Sequence, residues 1–133
     1  MRVVEEAYGQ QQILIVEDEA DIQSLMTFVL ERAGYDAVAV GSVAEARAAI
    51  SLFEFDAALV DLSLPDGRGD EVVDILRATS PRTRIVITSA MIQANTIPSY
   101  IADIGDSFLP KPFRRADLIA AVASRSFTTT PSA

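Results

Sequence analysis

Ala57-Ala58-Leu59-Val60-Asp61-Leu62-Ser63-Leu64-Pro65-Asp66-Gly67 runs from four apolar residues into one carboxylate, with Pro and Gly close behind. It reads as a strand buried on both faces that delivers a single Asp to a loop. In an open parallel sheet the strand C-termini and the loops leaving them form the crevice where ligands bind. Asp is also a common cap of turns, so this stretch alone leaves Asp61 as either a turn residue or a reactive one. The rest of the chain has to decide between them.

Half of the 133 residues are hydrophobic, enough for the core of one compact domain. The net charge of −8 opposes a phosphate backbone, so nucleic acid is not an expected partner. There is no Cys for disulfides or thiolate metal sites, and no His to serve as metal ligand or general base. Chemistry must therefore run on carboxylates, hydroxyls and one amine, because Lys111 is the only lysine in a chain whose other basic residues are arginines. No apolar run approaches a membrane span and Met1 to Gln12 lack a secretion signal, so a cytoplasmic protein is expected, with no membrane contact.

Outward from Asp61 the chain alternates strand and helix. Residues 1–10 lack apolar periodicity and read as a tail, and the domain runs from residue 11 to about 124. Ile13-Leu14-Ile15-Val16 is a buried strand ending in Glu17-Asp18-Glu19, followed by Ile22, Leu25, Met26 and Val29 at helical spacing and by Gly34 as terminator. Ala37 to Val40 is a second strand, and Ser42-Val43-Ala44-Glu45 has the pattern of a capping box opening a helix to about Phe53. After Asp61 a loop through Gly69 leads to a helix over about 70–79, with Val72, Val73 and Leu76 inward and Pro81 as its stop. Ile85-Val86-Ile87-Thr88 is the fourth strand, ending in Ser89. A short fourth helix is expected over 94–104, where Pro98 intervenes. Ser107 to Pro110 is the fifth strand, running into Lys111-Pro112-Phe113; Leu118, Ile119 and Val122 mark the fifth helix, and 125–133 read as a polar tail. Five strands alternating with five helices imply an α/β parallel sheet covered on both faces by right-handed crossovers.

Parallel strands share their C-terminal edge, so Glu17, Asp18, Asp61, Ser89 and Lys111 gather there. Three carboxylates without His or Cys make a hard oxygen site suited to Mg²⁺. Helix N-terminal charge would also explain Glu17 and Asp18, but Asp21 already supplies it. Lys111 could be an ordinary surface amine, yet its place at a strand end before Pro suits a phosphoryl oxygen better. A lone Ser usually just ends a strand; beside a metal and a lysine, Ser89 can donate to the same anion. A carboxylate nucleophile, a divalent ion, a lysine and a hydroxyl are what in-line phosphoryl transfer to a carboxylate requires.

On four pieces the sequence resembles the receiver domain of bacterial two-component response regulators: Ile15-Val16-Glu17-Asp18-Glu19, Val60-Asp61-Leu62-Ser63-Leu64-Pro65-Asp66-Gly67, Ile87-Thr88-Ser89-Ala90 and Phe108-Leu109-Pro110-Lys111-Pro112-Phe113. The resemblance implies a doubly wound, flavodoxin-like five-stranded sheet of order 2-1-3-4-5. It makes Asp61 the acceptor of a phosphoryl group from a histidine kinase or histidine phosphotransfer protein. It implies that Asp18, Asp61 and the Ser63 backbone carbonyl ligate Mg²⁺, with Glu17 acting largely through metal-bound water. Lys111 would pair with Asp61 and then with the phosphoryl group, across a cis Lys111-Pro112 bond. Ser89 and Phe108 would be the switch pair, Phe108 turning inward and re-shaping a partner face built from the fourth helix, fifth strand and fifth helix, with a homodimer as one outcome. Ser63 and Met91 would flank the water path to the acyl phosphate. Glu17, Ser89 and Phe108 stand where the family more often has Asp, Thr and Tyr.

Two other functions compete. One is a small Mg²⁺-dependent phosphatase with an Asp nucleophile, against which Ser63 stands where such enzymes carry a second Asp. The other is a receiver-like scaffold that is not phosphorylated. The leading expectation is a binding module that phosphorylates and dephosphorylates itself without being a turnover enzyme.

Overall fold

The computed structural model describes residues 11–90 and 105–123, together with the backbone of Thr128–Thr129. β1 (Gln12–Val16), β2 (Asp36–Val40), β3 (Ala57–Asp61), β6 (Arg84–Ser89) and β7 (Ser107–Pro110) form a parallel sheet in the order β2-β1-β3-β6-β7. With the small hairpin after β3 set aside, this is the 2-1-3-4-5 order of a doubly wound fold. The expected helix over 94–104, with Met91 and Pro98, lies outside the described residues.

Period-two alternation along each strand builds two cores, one on each face. Leu14, Val16, Ala58, Val60, Ile85, Ile87 and Phe108 meet the buried sides of α2 (Val43–Leu52) and α3 (Gly69–Thr79). Ile13, Ile15, Ala57, Leu59, Val86 and Leu109 meet α1 (Ala20–Arg32) and α4 (Arg115–Ala123). Because these strands are apolar on both sides, they can only be central strands of a covered sheet. No described helix is long and apolar enough to cross a membrane.

Local signals account for most element ends. Gly34 has φ +100°, a left-handed conformation that glycine adopts without steric penalty, just beyond α1. Ser42 Oγ accepts the Glu45 N–H at 3.1 Å, as the capping signature predicts. The Glu45 carboxylate, however, takes the Gly41 N–H at 2.7 Å, so the reciprocal half of the box closes one residue earlier. Leu25 is 51 % exposed, whereas Met26, Val29 and Leu30 are buried. The buried stripe of α1 is narrower than its apolar spacing suggests, and Leu25 lies at its solvent edge.

Two segments depart from the sequence reading. The loop after Asp61 is ordered as an antiparallel hairpin, β4 (Ser63–Leu64) with β5 (Gly67–Arg68), around the turn-forming Pro65-Asp66 pair. The C-terminal stretch, expected as a tail, supplies a sixth strand, β8 (Thr128–Thr129), paired in parallel with Ser107–Phe108. β8 thereby covers part of what would otherwise be an open edge of β7, and β-branched threonines suit a strand position.

Candidate functional site

The strand C-termini deliver their side chains to one edge, and backbone bonds fix the spacing. Glu17 N–H donates to Val40 O at 2.9 Å, Leu62 N–H to Thr88 O at 3.2 Å and Lys111 N–H to Ser89 O at 3.1 Å, so pairing continues past the last residues of the strands. Alternation then decides the face. Glu17 follows the parity of Ile13 and Ile15, Asp61 that of Ala57 and Leu59, and Lys111 that of Leu109. All three project from the face that α1 and α4 cover.

They converge there. Lys111 Nζ lies 2.7 Å from Glu17 Oε1 and 2.9 Å from Asp61 Oδ2. One carboxylate oxygen each from Glu17, Asp18 and Asp61 lies within 4.8 Å of the others. Glu17 is fully buried, Asp61 nearly so, Asp18 exposed, and the Lys111 side chain is 9 % accessible. Asp61 Oδ1 accepts the Ser63 N–H at 3.0 Å, so both oxygens of this carboxylate are held in place. Glu17 Oε2 accepts the Glu19 N–H at 3.1 Å. The Lys111-Pro112 peptide is cis.

Burial holds the Glu17 carboxyl above its ordinary value of 4.5; the nearby Asp61 charge adds to this, while Lys111 and the Glu19 amide oppose it. Burial by itself would lower the Lys111 ammonium, but its bonds to Glu17 and Asp61 outweigh burial and the net shift is upward from 10.5. The ammonium thus acts as a resident cation between two desolvated carboxylates. Three carboxylates against one ammonium still leave two negative charges, which matches a divalent hard cation coordinated by oxygen.

Ser89 is buried at the end of β6 and follows the opposite parity, shared with Ile87 and Phe108. Phe108 is fully buried in the core that α2 and α3 cover.

Two residues of this site escape sequence reasoning. A Cβ on Gly69 would lie 2.2 Å from the Asp61 carbonyl oxygen and 3.0 Å from Leu62 Cα, so only glycine lets α3 start against the end of β3. The Asp66 carboxylate accepts the N–H groups of Val43 at 2.8 Å and Ala44 at 3.0 Å, tying the loop after Asp61 to the first turn of α2. In sequence both belong to an ordinary turn, because their partners are distant backbone.

The sequence profile of the response regulator receiver domain matches residues 13–123. Over 116 residues the chain is 32 % identical to the DNA-binding response regulator MtrA of Mycobacterium tuberculosis, covering 87 % of this chain and 50 % of MtrA. The chain therefore spans about half the length of that relative. A CheY-like receiver domain from Methylobacillus flagellatus is 33 % identical, with a TM-score of 0.74 over 82 % of this chain and 92 % of the other. The receiver domain of the sensor histidine kinase PA1611 from Pseudomonas aeruginosa, which has magnesium coordinated in its active site cleft, is 27 % identical, with a TM-score of 0.71 over 86 % of this chain and 99 % of the other.

Proposed function

The chain belongs to the response regulator receiver domain family, and from that premise we propose that Asp61 is its phosphoacceptor, with Glu17, Asp18, Ser89 and Lys111 as the groups that make acceptance work. The observation that carries this reading is the buried Lys111 ammonium bridging Glu17 and Asp61 beside Asp18. In the proposed reaction an oxygen of the ionised Asp61 carboxylate attacks the phosphorus of a phosphohistidine. The P–N bond breaks, its electron pair leaves with the imidazole, and an acyl phosphate remains on Asp61.

Asp18, Asp61 and the Ser63 carbonyl would hold Mg²⁺, with Glu17 behind them through water; once bound, the cation supplies charge neutralisation at the transferring oxygens. The PA1611 receiver, with magnesium in its cleft, supports this assignment. Lys111 keeps its ammonium charged and transfers a hydrogen bond from Asp61 to a phosphoryl oxygen. The Ser63 N–H orients the nucleophile. Ser89 donates its hydroxyl to the phosphoryl group, and Phe108, already buried beside the end of β6, forms the switch pair with it. A single transfer to its own side chain is the activity, because Ser63, two residues after Asp61, cannot serve as the acid–base of a turnover phosphatase.

The donor would be a histidine kinase or phosphotransfer protein. A largely apolar groove of ≈ 300 Å³, lined by Ile22, Leu25, Ala90, Pro112 and Phe113 together with Glu19 and Lys111, suits the side of a donor helix carrying the phosphohistidine. For the receiver itself, with a net charge of −8, the readout is assigned to a protein partner or a second copy rather than to nucleic acid.

The test is intact mass after incubation with Mg²⁺ and acetyl phosphate. One added phosphoryl group, absent from Asp61→Asn and without Mg²⁺, is expected. A folded protein that gains none, with acetyl phosphate or with a cognate kinase, would overturn the assignment in favour of an unphosphorylated scaffold.

A further inference from the structure

The loop carrying Ser63 is fixed at three points, and one of them lies outside the loop's own helix and strand. Its base is closed by Gly69 N–H donating to Leu62 O at 3.1 Å. Its arms pair as Ser63 with Arg68 and Leu64 with Gly67. Its tip is held by Asp66, whose carboxylate spans two consecutive amides of α2, those of Val43 and Ala44, which lie 23 and 22 residues earlier. Those amides hold the Asp66 carboxyl below its usual 3.8, so it remains ionised through the neutral range.

The helix itself does not depend on this contact alone for its cap. Ser42 Oγ serves the Glu45 amide, and the Glu45 carboxylate serves Gly41. What Asp66 adds is a tether between a fixed helix end and the hairpin, and Ser63 at the hairpin's root donates its N–H to Asp61.

We infer that Asp66 is a positioning residue for phosphoryl acceptance: by clamping the hairpin tip to the N-terminus of α2, it holds the Ser63 backbone whose N–H orients Asp61 and whose carbonyl would serve the cation. This rests on the function proposed above. Groups one shell beyond a metal site, when removed, typically cost 10- to 100-fold in metal affinity or activity. For Asp66, acting through the backbone of one ligand, about 10-fold is expected.

The experiment compares wild type with Asp66→Ala, Asp66→Asn and Ser42→Ala. Phosphorylation by acetyl phosphate is followed by intact mass as a function of Mg²⁺, Mg²⁺ affinity by calorimetry, and amide hydrogen exchange across residues 63–68. Asp66→Ala should raise the Mg²⁺ concentration for half-maximal phosphorylation by about 10-fold and lose protection in the hairpin. Asp66→Asn, which keeps one accepting oxygen for two amides, should fall between it and wild type. Ser42→Ala, a loss of cap at the same helix end, should lower the melting temperature and leave the Mg²⁺ dependence unchanged.

The inference is overturned if Asp66→Ala behaves as Ser42→Ala does, with a lower melting temperature but unchanged Mg²⁺ affinity and hairpin protection. If the wild type binds Mg²⁺ and takes no phosphoryl group, the proposed function falls, and the affinities of wild type and Asp66→Ala still decide whether the clamp acts on the cation site. If the wild type neither binds Mg²⁺ nor is phosphorylated, both fall.

Discussion

Lys111 is the residue on which the electrostatics of the site turn. Without its ammonium, Glu17, Asp18 and Asp61 would face one another with nothing between them, and removing one partner of a buried pair leaves an uncompensated charge. Lys111→Met should lose about 3 kcal/mol at pH 8 without divalent cations, by urea unfolding. Because the folded pKa of Lys111 is raised, its contribution is fully present below 10.5 and lost only as pH rises through the folded value. The carboxylates add a second dependence. Glu17 is held above 4.5, so its ionised form is penalised in the fold, and acidification through its raised folded value relieves the variant by protonating it. Mg²⁺ should relieve it too, by replacing the missing cation. A deficit that stays constant as the pH is lowered from about 8 until the fold is lost, and is indifferent to Mg²⁺, would show that the ammonium does not balance these carboxylates.

Among the elements, the junction of β3 with α3 matters most, because it sets the direction in which Asp61 leaves the sheet. The atoms that crowd a Cβ on Gly69 are backbone atoms of Asp61 and Leu62, which cannot rotate away. Overpacking of that kind costs about 1–3 kcal/mol, more than the ~1 kcal/mol that alanine gains over glycine within a helix. Gly69→Ala should therefore destabilise the fold by denaturant titration and slow phosphorylation of Asp61. Gly67→Ala makes the control: its closest contact, at 2.8 Å, is the flexible end of Glu71. A Gly69→Ala protein as stable as wild type would mean that α3 can shift without disturbing the strand end.

On the scale of the whole molecule, both cores and the site share the same strands, so binding at the edge is linked to global stability. A ligand of the folded state alone stabilises by about 2.7 kcal/mol at 100 times its dissociation constant. Mg²⁺ should accordingly raise the melting temperature, and Asp18→Asn should abolish the rise; a rise that persists in Asp18→Asn would place the cation elsewhere. Much of this organisation was legible in the chain. Strands apolar on both sides, such as Ile13 to Val16 and Ala57 to Val60, demanded a covered parallel sheet, and a parallel sheet brings Glu17, Asp61 and Lys111 to one edge. Local chemistry set the element ends, as at Gly34 and Ser42, because capping and turn preferences act over a few residues. The order of the strands came only from the resemblance, since periodicity is the same in any order. Tertiary structure decided the rest: the solvent-facing turn of Leu25, the pairing of Thr128–Thr129 with β7, the backbone crowding at Gly69 and the reach of Asp66 to α2. None of these follows from the residue and its immediate neighbours alone, because each is set by how separate elements pack. Residue type and spacing state what a side chain can do; only the fold supplies the partner it does it with.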